Sequence, residues 1–144
     1  MPIAVPITFE NAYMGRAEYN TDLLAELTDV CIEQNVTLGR VEAIGALTKA
    51  RIGYYDQAER TYKYEVFEYP VEITNLTGNV SLKEGEPMVH AHITVSDENG
   101  NAYGGHLASG NTVFACEFMV MRFSGRSLQR SFDETTGLPL WDMK

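Results

Sequence analysis

The alternation of apolar and polar positions predicts one amphipathic helix in a chain that otherwise consists mostly of strands. Apolar residues recur at helical spacing from Leu23 to Cys31, and acidic residues occupy the opposite face. Asn20 and Thr21 are suitable N-cap residues just before this segment. We therefore expect a single helix near residues 21–34 that lies on a sheet.

About eight segments rich in branched and aromatic residues alternate with turn signals and are predicted to be strands. They cover residues 41–47, 49–55, 61–67, 71–76, 79–82, 89–96, 102–107 and 112–123. We expect a turn at Thr77–Gly78, a charged loop at Lys83–Pro87, a central strand at 112–123 and irregular structure in residues 125–144. The expected fold class is therefore α+β, with a mainly antiparallel sheet and one principal helix.

All three histidines of the chain fall in one predicted hairpin. His90 and His92 share the polar face of their strand, because side chains at i and i+2 point the same way. A three-residue loop at 98–100 keeps apolar side chains opposite one another and places His92 opposite His106, whereas a two-residue loop mixes the faces. Opposed residues on neighbouring strands have Cβ atoms about 4.5–5.5 Å apart. Three imidazoles should therefore converge on one patch.

Converging imidazoles suit Zn²⁺, which binds nitrogen at about 2.0–2.1 Å and keeps an open position when only three protein ligands are present. Gly104 and Gly105 are expected to leave space beside the imidazoles. Glu117 or Cys116 is a candidate for a further ligand or for a hydrogen-bond partner of one. Since only neutral imidazoles bind metal, affinity should fall as the pH drops through about 6.5. The alternative is three histidines on a polar sheet face that bind no metal.

The composition fits one globular domain, residues 1–144, and disfavours a broad nucleic-acid interface. The chain carries 11 basic and 20 acidic residues, a formal net charge of −9. Such a protein is repelled by phosphate backbones and by anionic lipid. Arg122, Arg126 and Arg130 lie near one another in the sequence, but acidic residues follow them directly, so we interpret them as a solvated surface.

Several further features favour a cytoplasmic protein. The chain contains no run of about 18 apolar residues, the length that a membrane-spanning helix needs. The segment before residue 10 is too short for a signal peptide. Cys31 and Cys116 both lie in apolar runs, so we expect two buried free thiols.

The segment from His90 to Leu107, which reads HAHITVSDENGNAYGGHL, resembles the signature of the plants and prokaryotes conserved (PPC) domain family. Glu117 follows the Gly-Gly-His-Leu run at the family's spacing. The resemblance extends over nearly the whole chain, through segments 41–47, 71–79 and 130–141. It is to the stand-alone prokaryotic type, which is related to the second domain of plant AT-hook nuclear proteins.

The resemblance implies an α+β subunit that assembles as a homotrimer. Prokaryotic members are described as DNA-binding proteins, and the plant domain contacts regulatory protein partners. The chain has no AT-hook core, which weakens the DNA-binding expectation. The plant partner-binding stretch ends in Glu-Ile-Leu, of which Glu72 and Ile73 are present here, whereas Thr74 replaces the leucine.

Three functions remain open at this point. The favoured one is a small homotrimeric binding module with a metal or small-ligand site at His90, His92 and His106. The second is a DNA-associated or transcription-regulatory protein. The third is a zinc-dependent enzyme of unknown substrate, with Glu117 as base. The sequence assigns no catalytic residue.

Overall fold

Nine strands and one helix make up the computed structural model, which describes residues 1–144. In chain order the elements are β1 (Ile7–Ala17), α1 (Leu23–Glu33), β2 (Gly39–Asp56), β3 (Thr61–Phe67), β4 (Val71–Lys83), β5 (Glu86–Ser96), β6 (Ala102–Leu107), β7 (Thr112–Gly125), β8 (Gln129–Asp133) and β9 (Leu138–Trp141). All strands pair antiparallel except β4 and β8, which are parallel. The expected α+β class with a mainly antiparallel sheet is confirmed. The helix is too short to cross a membrane.

Strand β2 organises the sheet because it has neighbours along its whole length. Its first half pairs with β4 and β7, and its second half pairs with β3 and β6. Since β4 also pairs with β5, and β5 with β6, the strands β2, β4, β5 and β6 form a closed hydrogen-bonded ring. The register shifts at Gly45, whose φ of 150° is one that other residues rarely adopt. Gly45 therefore lies at a β-bulge.

The N-cap residue of helix α1 is Asp22. The sequence analysis had suggested Asn20 or Thr21 for this position. The Asp22 carboxylate accepts hydrogen bonds from the backbone N–H of Ala25 at 3.0 Å and of Gly110 at 2.7 Å. The second bond ties the start of the helix to the segment before β7. Asp22 is favoured because one carboxylate satisfies a helix-terminal donor and a loop donor together.

The core lies between α1 and the sheet. Its largest fully buried side chains are Leu23, Leu27, Leu47, Leu76, Ile93, Leu107, Val36, Val41, Val80, Val95, Val113 and Val120. Burying side chains of this size stabilises the fold by about 1.5–3 kcal/mol each relative to exposing them. Cys31 and Cys116 are buried and free, as expected, and burial raises their thiol pKa values to about 12 and about 11.

Several sequence expectations about the strands were wrong. The predicted turn at Thr77–Gly78 lies inside β4, where a side chain at Gly78 would overlap the backbone of β5. The glycine therefore serves a close strand approach. The expected loop at Lys83–Pro87 is a tight turn at Glu84–Gly85, with φ values of 53° and 81°. The predicted strands 41–47 and 49–55 are parts of the single strand β2.

The two ends of the chain were also misjudged. Strand β1 was not predicted, and residues 125–144 hold the β8–β9 hairpin where irregular structure was expected. The long apolar strand β7 does lie inside the sheet, between β1 and β2, as its composition indicated.

Candidate metal centre

The β5–β6 hairpin has the register that the sequence predicted. Asp97 and Asn101 close the loop through a backbone hydrogen bond of 3.1 Å, and Gly100 between them has a φ of 80°. His92 consequently lies directly opposite His106. The Asp97 carboxylate also accepts hydrogen bonds from the backbone N–H groups of Asn99 and Asn101, which fixes the loop.

The three histidine rings form one cluster. The ring centroids of His90 and His92 are 5.5 Å apart, those of His90 and His106 are 5.4 Å apart, and those of His92 and His106 are 6.2 Å apart. One ring nitrogen of each lies within 4.8 Å of the others. Nitrogens bound to one tetrahedral Zn²⁺ are about 3.4 Å apart. The nitrogen–nitrogen distances therefore have to shorten by at most about 1.4 Å, which small side-chain rotations achieve.

The surroundings keep at least two of these imidazoles neutral. Burial, followed by the nearby guanidinium of Arg130, lowers the pKa of His90 to about 4. Burial and then His92 lower the pKa of His106. Nδ1 of His106 is buried and has no hydrogen-bond partner. An unsatisfied buried nitrogen is costly unless another group uses it. Neutral imidazoles, one with an unpartnered nitrogen, fit a divalent ion such as Zn²⁺.

Arg130 is a residue of this site that the sequence analysis missed, since it was interpreted as solvated surface. Strand β8 lies parallel to β4, with Arg130 opposite Lys83, and from there the Arg130 side chain reaches His90 on β5. The guanidinium donates hydrogen bonds to Asn79 Oδ1 at 2.9 Å, Ser81 Oγ at 3.1 Å and the Pro139 carbonyl at 3.0 Å. Its Nη2 lies 3.5 Å from His90 Nδ1. The half-buried Arg130 is thus held by the fold and not solvated.

The histidines lie in a cleft of about 660 Å³ that the C-terminal hairpin helps to enclose. Residues 138–140 of β9 form part of its wall, and the Tyr62 ring packs 4.8 Å from the His106 ring. Lys83 and Arg130 also line the cleft, whereas no aspartate or glutamate does. Burial raises the pKa of Tyr62. The cleft is therefore locally basic within an acidic protein.

The glycines beside His106 do not leave the space that the sequence suggested. A side chain at Gly105 would overlap the carbonyl of Gly53 on β2 and approach Ile52 Cγ2 to 2.9 Å. Gly105 lines the histidine cleft, but Gly104 lines a neighbouring one. The need for glycine at position 105 therefore comes from the close approach of β2 and β6.

Glu117 and Cys116 do not line the histidine cleft. Both line a separate groove of about 470 Å³, together with Arg16 and Glu72. Glu117 lies opposite Arg16 on β1, and Cys116 is only 1% exposed. The suggestion that either residue supports the histidines is therefore not matched by their positions.

The two residues suggested as a partner contact differ in accessibility. Glu72 is exposed at the rim of the same groove as Glu117, whereas Ile73 is 3% exposed and belongs to the core. Only Glu72 of the pair therefore has a side chain that is accessible at the surface.

Comparison with known proteins identifies the family. A model of the Plants and Prokaryotes Conserved (PCC) domain matches residues 7–124. The chain belongs to the PCC domain family. The matched region contains eight elements, from β1 to β7, and includes all three histidines, whereas β8, β9 and Arg130 lie outside it.

Three solved structures share the PCC fold over nearly their full length. A metal-containing protein of Archaeoglobus fulgidus is 38% identical, with a TM-score of 0.92, and the match covers 97% of this chain and 99% of that one. A plant- and prokaryote-conserved protein of Pyrococcus horikoshii is 30% identical, with a TM-score of 0.92 and coverage of 98% and 97%. A candidate DNA-binding protein of Bacteroides thetaiotaomicron is 27% identical, with a TM-score of 0.86 and coverage of 95% and 97%.

The PCC chain also resembles part of a much longer curated protein. It is 30% identical over 118 residues to the bifunctional protein GlmU of a Synechococcus strain. That match covers 81% of this chain but only 17% of the longer protein. The chain thus spans about a sixth of the length of this curated relative.

Proposed function

We propose that this PCC-domain protein is a binding module that holds one divalent metal ion, Zn²⁺ by preference, on His90, His92 and His106. The observation that carries the proposal is the convergence of three imidazole nitrogens, together with the unpartnered buried Nδ1 of His106. The metal content of the Archaeoglobus fulgidus relative supports it. Three protein ligands leave a coordination position for a ligand from the cleft.

The cleft supports ligand binding better than hydrolysis. A bound Zn²⁺ would polarise a coordinated oxygen or lower the pKa of a bound water. A hydrolytic site also needs a general base near that water. No carboxylate lines the cleft, and Glu117, the base that the sequence suggested, lines a separate groove. We therefore assign no catalytic residue to this chain.

Zinc retention by His92→Ala and by Glu117→Gln tests the metal site. His92 is exposed and its removal leaves the apolar face of the hairpin intact, so His92→Ala should fold and retain at least tenfold less zinc than the wild type after dialysis. Glu117→Gln should retain as much zinc as the wild type. The measurement is metal content per chain by elemental analysis. Equal retention by the wild type and His92→Ala, or no retention by the wild type, would contradict the proposal.

We further propose that the protein is a homotrimer, as the family resemblance implies. Apolar side chains protrude from β1 and β2, where Phe9 is 58%, Met14 84% and Ile44 59% exposed. Exposed apolar patches of this kind mark interaction surfaces. Light scattering should give a mass of about 48 kDa, three times 16.1 kDa, and Met14→Arg should lower it. A wild-type monomer at micromolar concentration would refute the trimer.

We place the protein in a reducing compartment, the cytoplasm, because Cys31 and Cys116 are buried and unpaired. We propose no direct DNA interface. Acidic residues exceed basic ones by nine, and Arg40, Lys63 and Arg122 are each engaged by a carboxylate. If the protein acts in regulation, the exposed Glu72 is the residue available to a protein partner.

A further inference from the structure

The charges around the histidine cleft are not balanced within the chain. We propose that the cleft binds a small organic carboxylate, which coordinates the metal ion and contacts the guanidinium of Arg130. This inference rests on the proposed metal site. It assigns the open coordination position to an anion and makes Arg130 the residue that recognises it.

The cationic side chains of the cleft have no counter-charge within the chain. Arg130 is half-buried, yet it has no carboxylate within salt-bridge distance, and neither does Lys83. The other residues of the cleft include no aspartate or glutamate. In a chain with 20 acidic residues, this cleft holds two formal positive charges and no negative one. A half-buried cation of this kind is stabilised by a paired anion.

Metal binding makes the imbalance larger. Nη2 of Arg130 lies 3.5 Å from Nδ1 of His90. A divalent ion held by the histidines would therefore share the cleft with the guanidinium, and the two cations would repel each other in this partly buried site. An anion that bridges the ion and Arg130 removes this repulsion. A neutral ligand would leave it in place.

The guanidinium is held in a fixed orientation and has one N–H group without a partner. Its bonds to Asn79, Ser81 and the Pro139 carbonyl use three of its N–H groups and fix the plane of the side chain. Ser81 is itself held by the indole N–H of Trp141, which donates to its Oγ at 2.9 Å. Nη2 also faces Nδ1 of His90 at 3.5 Å, which leaves the second N–H of Nη1 available to an oxygen acceptor. A fixed guanidinium binds carboxylates with little loss of side-chain freedom.

The remaining lining of the cleft favours an organic carboxylate over inorganic phosphate. Phosphate sites in proteins commonly use several free backbone N–H groups at a helix start or in a glycine-rich loop. Here the histidines lie on β5 and β6, whose backbone groups pair with neighbouring strands. Met88, Leu138 and Leu140 supply apolar surface for a carbon chain. The Tyr62 hydroxyl makes no hydrogen bond within the chain, so it is available to a second polar group of the ligand.

Calorimetric titration of the zinc-loaded protein with lactate and with lactamide tests this assignment. The two probes have the same heavy-atom shape, but only lactate carries a charge. Lactate should bind to the zinc-loaded wild type, and lactamide should bind at least tenfold more weakly. This contrast uses the unaltered chain, so it does not depend on whether any variant folds.

Two variants locate the recognition at Arg130. Arg130→Gln should retain zinc and lose at least tenfold in lactate affinity. Arg126→Gln removes the same charge from an exposed side chain outside the cleft, and it should bind lactate like the wild type. Equal losses in the two variants would show a general charge effect and would overturn the role of Arg130.

The remaining outcomes separate this proposal from the metal site. A wild type that holds no zinc contradicts the metal site itself. A zinc-loaded wild type that binds neither probe, or both equally, contradicts the carboxylate assignment alone. Tighter binding of inorganic phosphate than of lactate would also overturn it, because the cleft would then be a phosphate site.

Discussion

The two faces of the β5–β6 hairpin differ sharply although they share one backbone. On one face, Val89, Ala91, Ile93 and Val95 are at most 6% exposed and pack in the core beneath α1. On the other, His90 and His92 open into the cleft with His106. Successive side chains of a strand point to opposite faces, so residues next to each other in sequence have different roles. Folding stability and metal chemistry should therefore be separable by substitutions one position apart.

The largest loss of stability is expected from the apolar face. Ile93→Ala removes a side chain that is 1% exposed and should lower the free energy of unfolding by about 2–5 kcal/mol. His92→Ala, one residue away on the exposed face, should lower it by less than about 1 kcal/mol. Chemical denaturation of the metal-free proteins measures both values. Similar losses in the two variants would show that the faces are not independent.

A smaller loss of stability is expected from a substitution at Gly105, where β6 approaches β2 closely. Gly105→Ala forces β6 away from the Gly53 carbonyl and should cost about 1–3 kcal/mol. It should also weaken zinc retention, because Gly53 pairs directly with His106. In the control Gly104→Ala, the new Cβ lies 3.1 Å from the Ile93 carbonyl, so a small shift suffices. A Gly105→Ala variant as stable as Gly104→Ala would contradict this account.

Acid should release the metal without first breaking the apolar face. Only neutral imidazoles bind metal, and the pKa of His90 is lowered from 6.5 to about 4 by burial and Arg130, with that of His106 also lowered. Zinc retention should therefore persist somewhat below pH 6.5 and disappear as the pH approaches 4. In the metal-free protein these depressed pKa values make the free energy of unfolding fall over the same interval, since the unfolded state binds more protons there.

Dialysis at a series of pH values, followed by elemental analysis, measures this release. The structure moves the expected release to lower pH than the 6.5 inferred from an unperturbed histidine. Release with a midpoint at or above 6.5 would show that the histidines are more accessible to water than the cleft implies.

The sequence predicts those structural features that depend on residues close together in the chain. The hairpin register follows from alternation within residues 89–107, and the structure confirms it down to the pair His92 and His106. Helix α1 was predicted within two residues at each end. Its cap was misassigned because the second bond of Asp22 goes to Gly110, which is remote in sequence.

Features that depend on distant pairing were not predictable in this way. Strand β1 is mostly exposed, so its side chains show little alternation, and its pairing with β7 alone defines it. Glycine and proline in the tail indicated irregular structure, whereas they occupy the turn and second strand of the β8–β9 hairpin. Arg130 reaches His90 only because β8 adds to β4 in parallel, and no local pattern marks that pairing.

Because the wall of the cleft is built from the last two strands of the chain, it is synthesised after the histidines that it covers. The histidines emerge from the ribosome with β5 and β6, before the strands that carry Arg130 and residues 138–140. The pairings of β2, β4, β5 and β6 involve no residue of this tail. Under the proposed metal site, an ion would therefore find the three imidazoles on an open patch before the tail is made, and β8 and β9 would then close the cleft around it.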